Sequence, residues 1–142
     1  MPPIDDFRGE YRWLSNFHLV KVELDGALYS STENAYQAAK TLDLDMRRVF
    51  RVCTPSESKR HGKALTLRPD WESVKVSVML GLLRQKFQHP ELKQKLLATG
   101  DIELIEGNWW NDTFWGVCRG VGQNWLGRLL MQVRSELQSA QQ

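Results

Sequence analysis

The N-terminal third of the chain contains a stretch in which apolar and polar residues alternate. The alternation continues on both sides of Asp25-Gly26, a dipeptide that is typical of two-residue β-turns. Its apolar positions are Val20, Val22, Leu24, Ala27 and Tyr29. Because successive side chains of a strand point to opposite faces, this pattern predicts a small β-hairpin over residues 19–30.

The pattern that follows the hairpin is helical. The run Ser30-Ser31-Thr32 offers capping oxygens to a helix that is expected to extend from Glu33 to about Leu42. The run Thr54-Pro55-Ser56-Glu57 has the residue order of a capping box with proline at the first helical position. It predicts a short second helix that ends at Gly62.

The second half of the chain predicts three more helices and one extended segment. Pro69 begins a central core helix that ends at His89-Pro90, and a short helix over residues 92–97 ends at Thr99-Gly100. Residues 102–106 are expected to be extended, and a long irregular loop leads to a last helix after Gly122. The apolar residues at helical spacing are Trp71, Val74, Val78 and Leu82, then Leu92, Leu96 and Leu97, then Leu126, Leu129, Leu130, Val133 and Leu137.

These elements predict an α+β fold that is predominantly α-helical, with a small N-terminal β-hairpin and a helical core. The 142 residues, of which 42% are hydrophobic, are enough to bury a core of ordinary size. We therefore expect a single compact domain over residues 1–142, with its core at about residues 7–137 and a frayed C-terminal tail at residues 138–142.

Charge and hydropathy exclude several classes of protein. A formal net charge of +2 is too small to indicate tight binding to long nucleic acids or anionic membranes by electrostatics alone. No apolar run approaches the roughly 18 residues of a membrane span, and the first residues do not resemble a secretion signal. We expect a cytoplasmic protein with no membrane partner, and the sequence leaves its oligomeric state open.

Residue spacing favours neither a metal site nor a dinucleotide site. The three histidines lie in different predicted elements, and Cys53 and Cys118 are far apart in the chain. The run Gly120-Val121-Gly122-Gln123-Asn124 precedes a helix, but no strand–helix–strand unit surrounds it. We expect no metal and no cofactor.

Three polar residues share one face of the helix that follows the hairpin, because Glu33, Gln37 and Lys40 are four and three positions apart. The opposite face consists of alanines and Leu42. Two interpretations are open at this point. The polar face is either a solvated surface with a weak ion pair, or the wall of a pocket in which Glu33 is an acid or base and Lys40 is a nucleophile or a phosphate anchor.

Two further clusters combine cations with other chemistry. In Arg68-Pro69-Asp70-Trp71 an indole lies in the first turn of a helix, where it either stacks on a nucleobase or joins the core. In Lys59-Arg60-His61-Gly62-Lys63 four potential cations gather near a helix end, where they either stabilise the helix dipole or bind phosphate.

The most informative segment covers residues 106–116. It combines the carboxylates Glu106 and Asp112 with amides, glycines and the indoles of Trp109, Trp110 and Trp115. Aromatic residues in a polar, glycine-containing loop suggest a binding wall. Asparagine and aspartate are also common turn formers, so a purely structural role for Asp112 is the alternative.

Five motifs follow one another in a specific order. They are Leu14-Ser15-Asn16-Phe17, Ser31-Thr32-Glu33-Asn34-Ala35-Tyr36-Gln37-Ala38-Ala39-Lys40, Arg68-Pro69-Asp70-Trp71-Glu72-Ser73-Val74-Lys75, Asn111-Asp112-Thr113-Phe114-Trp115-Gly116 and Asn124-Trp125-Leu126-Gly127-Arg128-Leu129-Leu130-Met131. As an ordered set, from Phe7 to about Leu137, they resemble the NADAR domain, the YbiA-like N-glycosidase family. The family usually has histidine where this chain has Asn34, and a glycine-richer loop where it has Val117 and Cys118.

The resemblance implies hydrolysis of an N-glycosidic bond between ribose and an amino-substituted base. It implies two substrate classes, ribosylamino-pyrimidine phosphates of riboflavin biosynthesis and ADP-ribose on the amino group of guanine in a nucleotide, DNA or RNA, of which we favour the second. By the same resemblance, Glu33, Lys40 and Asp112 are the expected catalytic residues. The expected substrate-binding residues are Asn16, Phe17, Gln37, Arg68, Trp71, Glu106, Trp115, Gly116 and Asn124.

Two mechanisms and a second function stay open at the level of sequence. In one mechanism Lys40 forms a Schiff base with the sugar, and in the other Glu33 and Asp112 act as a carboxylate pair while Lys40 only binds phosphate. The alternative function is a non-catalytic module that binds nucleotide or ADP-ribose through its tryptophans and basic groups. The occurrence of Glu33, Lys40 and Asp112 together favours an enzyme, since binding alone does not require these three residues.

Overall fold

The computed structural model describes residues 1–141. Contacts between Cα atoms divide the chain into two units, one formed by residues 16–86 and the other by residues 1–15 together with residues 87–142. The boundaries of the single domain expected from the sequence stay a prediction. No helix among the described residues is long and apolar enough to cross a membrane.

The unit formed by residues 16–86 begins with the expected hairpin. Strands β1 (Leu19–Leu24) and β2 (Ala27–Ser31) pair antiparallel, with Leu24 opposite Ala27. Asp25 and Gly26 have φ values of 49° and 86°, as a tight two-residue turn between twisted strands requires. The alternating apolar positions are buried or half-buried, and Val22 and Tyr29 are the most deeply buried of them. The hairpin prediction is therefore confirmed.

Helix α1 (Thr32–Ala39) follows directly, with Ser31 as its N-cap, and every one of its residues is buried. It ends earlier than the expected Leu42 because Arg68 covers its C-terminal carbonyls. The Arg68 backbone N–H donates to the Lys40 carbonyl at 2.8 Å, and the guanidinium donates to the Ala39 carbonyl at 3.5 Å. Because burial extends around the whole helix, the interpretation of Glu33 and Gln37 as a solvated surface is wrong.

Helix α2 (Leu44–Val52) is an element for which the sequence analysis predicts nothing. Its N-cap Asp43 accepts hydrogen bonds from the backbone of Asp45 and Met46. The buried face of α2 carries Arg47 and Phe50. The exposed large apolar residues on this helix are Leu44, Met46, Val49 and Val52. A buried charged residue and several exposed apolar residues depart from the usual pattern, although Met46, Val49 and Phe50 do lie at helical spacing.

Helices α3 (Pro55–Gly62) and α4 (Trp71–Lys86) complete this unit. Thr54 and Glu57 form the expected capping box at the start of α3. Helix α4 begins two residues after Pro69, and Gln85 near its end exchanges two hydrogen bonds of 2.7 Å with the backbone of Glu23 in β1. Both helix predictions are confirmed within a few residues at their ends.

The other unit contains a 3-10 helix (Gly9–Leu14), helix α5 (Pro90–Ala98) and helix α6 (Trp125–Ala140). The expected extended segment pairs in parallel with the N-terminus through Ile4 and Leu104. Two-residue strands β3 (Gly107–Asn108) and β4 (Val117–Cys118) also pair in parallel within the long loop. The tail expected to fray from residue 138 is helical as far as Ala140, and Gln142 lies outside the described residues.

The core of this second unit is apolar with one buried cation. Trp13 packs edge-on against Phe87 with ring centroids 6.3 Å apart. The guanidinium of Arg134 on α6 donates to Thr99 Oγ1 at 3.0 Å and to the Ile102 carbonyl at 2.7 Å, which joins α6 to the end of α5. The elements together confirm a predominantly helical α+β fold with a small N-terminal hairpin.

Lys86, the last residue of α4, gives stability an unusual dependence on pH. It is fully buried, and burial lowers the pKa of its ammonium to about 7. Between pH 7 and about 10 the unfolded chain therefore binds a proton at this position that the folded chain does not bind. This one group is expected to raise the free energy of unfolding with pH, by up to about 1.4 kcal/mol per pH unit.

The substitution Lys86→Met removes this contribution, so the free energy of unfolding should rise less between pH 7 and pH 9 than it does in the wild type. Urea unfolding at several pH values in this range measures the slope. Lys95→Met, at an exposed lysine, is the matched control and should keep the wild-type slope. Equal slopes for Lys86→Met and the wild type would contradict the assignment.

Candidate active site

Glu33 and Gln37 form a buried polar pair on α1. Only 7% of Glu33 and 5% of Gln37 is exposed, and the Gln37 side-chain amide donates to Glu33 Oε2 at 2.6 Å. The backbone N–H of Glu33 donates to the Asn16 carbonyl at 3.0 Å, so the segment before β1 also meets the helix at this point. A buried carboxylate held by an amide has a fixed orientation, as an acid or base group requires.

Lys40 is half-buried at the C-terminal end of α1, about one turn from Gln37 and two turns from Glu33. Burial lowers the pKa of its ammonium, Glu33 opposes this effect, and the positive charges of Lys75, Lys63 and Lys59 add to it. Its Nζ lies 5.6 Å from the ring centroid of Tyr36. A lowered pKa increases the fraction of neutral amine, the form in which lysine is a nucleophile.

Several polar atoms around Glu33 are buried without a hydrogen-bond partner among the described residues. They are Asn16 Oδ1, Thr32 Oγ1 and Gln37 Oε1. Each belongs to a residue that contacts Glu33 or precedes it in the chain. Because buried polar atoms are nearly always paired, three such acceptors near one carboxylate suit a site that binds a polar ligand. Phe17, which follows Asn16, is half-buried.

Trp71 and Arg68 pack against the same helix. The Trp71 ring is only 4% exposed and lies 5.2 Å from the Tyr36 ring, so the interpretation of this indole as part of the core is correct in this structure. Arg68 forms two hydrogen bonds with the Asp70 carboxylate, at 2.6 and 3.0 Å. The guanidinium also donates to the Ala39 carbonyl, and the backbone N–H of Arg68 donates to the Lys40 carbonyl, so Arg68 holds the backbone at the end of α1.

Gly62 is a residue of this site that the sequence analysis treats only as a helix end. A Cβ atom at this position would lie 1.8 Å from Gln37 Oε1. Glycine therefore leaves the space in which the Gln37 amide turns toward Glu33. A glycine at the end of a helix is expected from capping alone, so the sequence contains no signal for this second role.

Asn34, which replaces the usual histidine of the family, has a structural role here. Its side-chain amide donates to the carbonyls of Phe50 and Cys53, both at 2.8 Å, and its Oδ1 accepts from the Ser31 hydroxyl at 2.5 Å. The side chain is fully buried and joins α1 to the end of α2. Every hydrogen-bonding group of this amide is thus used within the fold.

In the other unit, Glu106 and Gly116 meet in the loop before α6. The Glu106 carboxylate accepts from Asn108 Nδ2 at 2.9 Å. A Cβ at Gly116 would lie 1.8 Å from Glu106 Oε2, so glycine is required for this close approach. Asn124 accepts from the Glu106 backbone at 2.9 Å and donates to the Leu104 carbonyl at 3.0 Å, and its side chain does not cap α6.

Asp112 has a structural role in the same loop. Its Oδ1 accepts from the backbone N–H groups of Phe114 and Trp115, at 3.2 and 2.9 Å. These bonds close a turn that fixes the half-buried Trp115. Oδ2 accepts no hydrogen bond from the described residues, so one carboxylate oxygen is available for chemistry. The catalytic role of Asp112 stays a prediction.

The expected site residues thus form two groups, each within one unit. The first contains Asn16, Phe17, Glu33, Gln37, Lys40, Arg68 and Trp71, and the second contains Glu106, Asp112, Trp115, Gly116 and Asn124. Within residues 1–141, no three histidine, cysteine, aspartate or glutamate side chains come together as metal ligands would.

Comparison with known proteins places this arrangement in a family. The NADAR domain model matches residues 5–138. The N-glycosidase YbiA of Escherichia coli is 41% identical over 133 residues, which cover 90% of this chain and 82% of that protein. An N-glycosidase of Nostoc punctiforme is 33% identical over 137 residues, which cover 91% of this chain and 87% of that protein.

A riboflavin biosynthesis protein of Vibrio vulnificus is 39% identical over 131 residues, which cover 89% of this chain and 35% of that longer protein. The NMR structure of Escherichia coli YbiA superposes with a TM-score of 0.86 at 38% identity, over 99% of this chain and 89% of that chain. The family model covers nearly the whole sequence, and the resemblance noted from the motifs is confirmed. This chain belongs to the NADAR family.

Proposed function

We propose that this protein is an N-glycosidase that hydrolyses the bond between ribose and an amino-substituted base. The observation that carries the proposal is the position of Glu33, which is buried and held by the Gln37 amide. It lies on the same helix as Lys40, two turns away, and burial lowers the pKa of Lys40. A carboxylate and a partly neutral amine on one helix provide a proton carrier and a nucleophile for the same bond. Relatives named N-glycosidases support this assignment.

The reaction proceeds through the open form of the ribosylamine. The neutral Lys40 amine attacks the imine carbon of the opened sugar, and the base nitrogen receives one proton from this amine and one from Glu33. The base amine then leaves, and the sugar stays bound to Lys40 as a Schiff base. Glu33, now ionised, takes a proton from water, which adds to the Schiff base carbon and releases the sugar and the lysine.

The alternative mechanism uses Glu33 and Asp112 as a carboxylate pair through an oxocarbenium-like state. In that mechanism Lys40 only binds phosphate. The open oxygen of Asp112 is compatible with such a role, whereas the lowered pKa of Lys40 favours the Schiff base.

For the substrate we propose ADP-ribose attached to the amino group of guanine. Lys59, Lys63 and Lys75 are close enough to influence the charge of Lys40, and such a group of cations suits a substrate with two phosphates. A ribosylamino-pyrimidine phosphate is the second candidate, because a relative is named a riboflavin biosynthesis protein. Either substrate contains a ribosyl–nitrogen bond to an amino-substituted base.

The proposal is tested by product analysis. Wild type and Glu33→Ala are incubated separately with ADP-ribosylated guanosine nucleotide, with the modified oligonucleotide and with a ribosylamino-pyrimidine phosphate, and mass spectrometry detects the products. Wild type should release ADP-ribose, and Glu33→Ala should release at least about a hundredfold less, as loss of a general acid–base group implies.

Release of ribose phosphate alone would identify the second candidate substrate. Folded wild-type protein that binds a nucleotide tightly and releases nothing at any pH would contradict the enzyme and support the binding module.

The variant Lys40→Arg separates the two mechanisms, because arginine keeps the positive charge but cannot form a Schiff base. We expect Lys40→Arg to lose turnover, and borohydride to trap a sugar adduct on Lys40 of the wild type. The wild-type rate should rise with pH and reach a plateau below the ordinary lysine pKa, since burial lowers the pKa of Lys40. Turnover by Lys40→Arg, or an adduct at another lysine, would contradict the Schiff base at Lys40.

The variant Gly62→Ala tests whether the Gln37 amide positions Glu33. The added methyl group displaces the flexible end of Gln37 rather than backbone, so the protein should stay folded and lose about 1–3 kcal/mol of its free energy of unfolding. Loss of the hydrogen bond to the carboxylate should lower kcat about tenfold to a hundredfold, because bonds to charged groups contribute about 1.5–3 kcal/mol. It should also shift the acidic limb of the pH–rate profile.

The matched control is Gly81→Ala in α4, where a Cβ would meet no atom within 4 Å. This control should keep full activity and gain about 0.5–1 kcal/mol of stability from its higher helix propensity. An active Gly62→Ala variant with an unchanged pH–rate profile would show that Gln37 does not position Glu33.

A further inference from the structure

The loop before α6 displays two neighbouring tryptophans at its tip. Trp109 is 61% exposed and Trp110 is 40% exposed, and their ring centroids lie 4.8 Å apart at an interplanar angle of 82°. Exposed indoles leave apolar area in contact with water, so two in succession are unusual outside a binding surface. Neither ring has a place in the reaction proposed above.

Hydrogen bonds on both sides of the tip hold it in one conformation. The side-chain amide of Asn108 donates to the Asp112 carbonyl at 2.9 Å and accepts from the Asp112 N–H at 3.1 Å. These two bonds close a small ring with Trp109, Trp110 and Asn111 at its tip. Asn111 takes a left-handed conformation with φ 66°. The fold thus presents the two indoles in a fixed arrangement, which reduces the entropy cost of binding.

One guanidinium group lies against the Trp109 ring, and a second contacts Asn111, the residue that follows the pair. The Arg8 guanidinium carbon is 4.5 Å from the ring centroid of Trp109, and Arg8 also pairs with Asp6 at 2.8 Å. Arg119 donates to Asn111 Oδ1 at 2.9 Å and forms no ion pair with any described residue. Cations that alternate with aromatic rings match the phosphates and bases of a nucleic acid strand.

The surroundings of the pair argue against a protein partner. In residues 1–15 and 87–141 the exposed large apolar residues are Met1, Trp109, Trp110 and Val121. Arg8 lies against the Trp109 ring, and the residues that flank the pair in the chain, Asn108 and Asn111, are polar. A stable protein interface buries about 800 Å² on each side around an apolar centre, which so small an apolar area does not provide.

We propose that Trp109 and Trp110 form a stacking platform for an unpaired base of a nucleic acid strand, with Arg8 and Arg119 beside the adjoining phosphates. The platform deepens the proposed function and rests on it in one respect, since the bound strand is the one that carries the ribosylated guanine. Stacking on an aromatic side chain tolerates any base, so the platform selects single strands over duplexes and does not select a sequence.

The test measures binding of an unmodified, fluorescein-labelled oligothymidylate by fluorescence anisotropy. Wild type should bind it more tightly than it binds a duplex of the same length or thymidine monophosphate. Trp109→Ala and Trp110→Ala should each weaken binding about fivefold to a hundredfold, because base stacking contributes about 1–3 kcal/mol. Trp109→Phe should keep most of the affinity, and Arg119→Gln should weaken binding and reduce its salt dependence.

Val121→Ala, an exposed apolar residue in the same unit, is the matched control and should bind as wild type does. Circular dichroism confirms that each variant is folded, which is expected because both indoles are exposed. Equal binding by wild type and the tryptophan variants would overturn the platform. Absence of oligonucleotide binding, or equal affinity for duplex or mononucleotide, would also overturn it.

The outcome is independent of catalysis. Glu33→Gln should bind the oligonucleotide as wild type does, although its turnover is lost. Trp109→Ala should hydrolyse a modified mononucleotide at the wild-type rate and show a raised KM for the modified oligonucleotide. Tryptophan-dependent binding without turnover would contradict only the proposed glycosidase activity. Turnover without tryptophan-dependent binding would contradict only the stacking platform.

Discussion

The structure depends on the burial of a polar helix. Helix α1 has no face in solvent, although it carries Glu33, Asn34 and Gln37. Each unmet polar group in such a place costs about 1–3 kcal/mol, so the neighbouring segments must supply partners. They do so with backbone atoms: the Asn16 carbonyl accepts from the helix, and the carbonyls at the end of α2 accept from Asn34. The position of every element around α1 follows from this requirement.

The need for hydrogen-bond partners also explains why the buried polar residues have different roles. Asn34 uses its whole amide within the fold, whereas Gln37 uses only its donor, which holds Glu33. In the other unit, Asp112 closes a turn with one oxygen and keeps the second oxygen open. In the Gln37 and Asp112 side chains one atom is used within the fold and another is available for chemistry. The residue type alone therefore does not predict the role.

The sequence predicts most of the elements and many members of the site. The hairpin, the capping box of α3 and the last helix follow from local patterns that tertiary contacts do not override. Helix α2 is missed, although its N-cap Asp43 and the spacing of its apolar residues are both typical of a helix. The motifs identify Glu33 and Lys40, but the burial of Glu33 and the space that Gly62 leaves for Gln37 arise from packing between helices. Local spacing contains no information about such contacts.

The way in which helix α2 is attached to its neighbours has a consequence for the assembly of this unit. The inner face of this helix combines the fully buried ring of Phe50 with the charged side chain of Arg47, so polar contacts help apolar burial to hold it in place. Its guanidinium donates to Asp25 in the hairpin turn and to the Thr41 carbonyl after α1. Those acceptors exist in place only once the hairpin and α1 have formed. The two hydrogen bonds of Arg47 therefore require both neighbours of helix α2 to be in place.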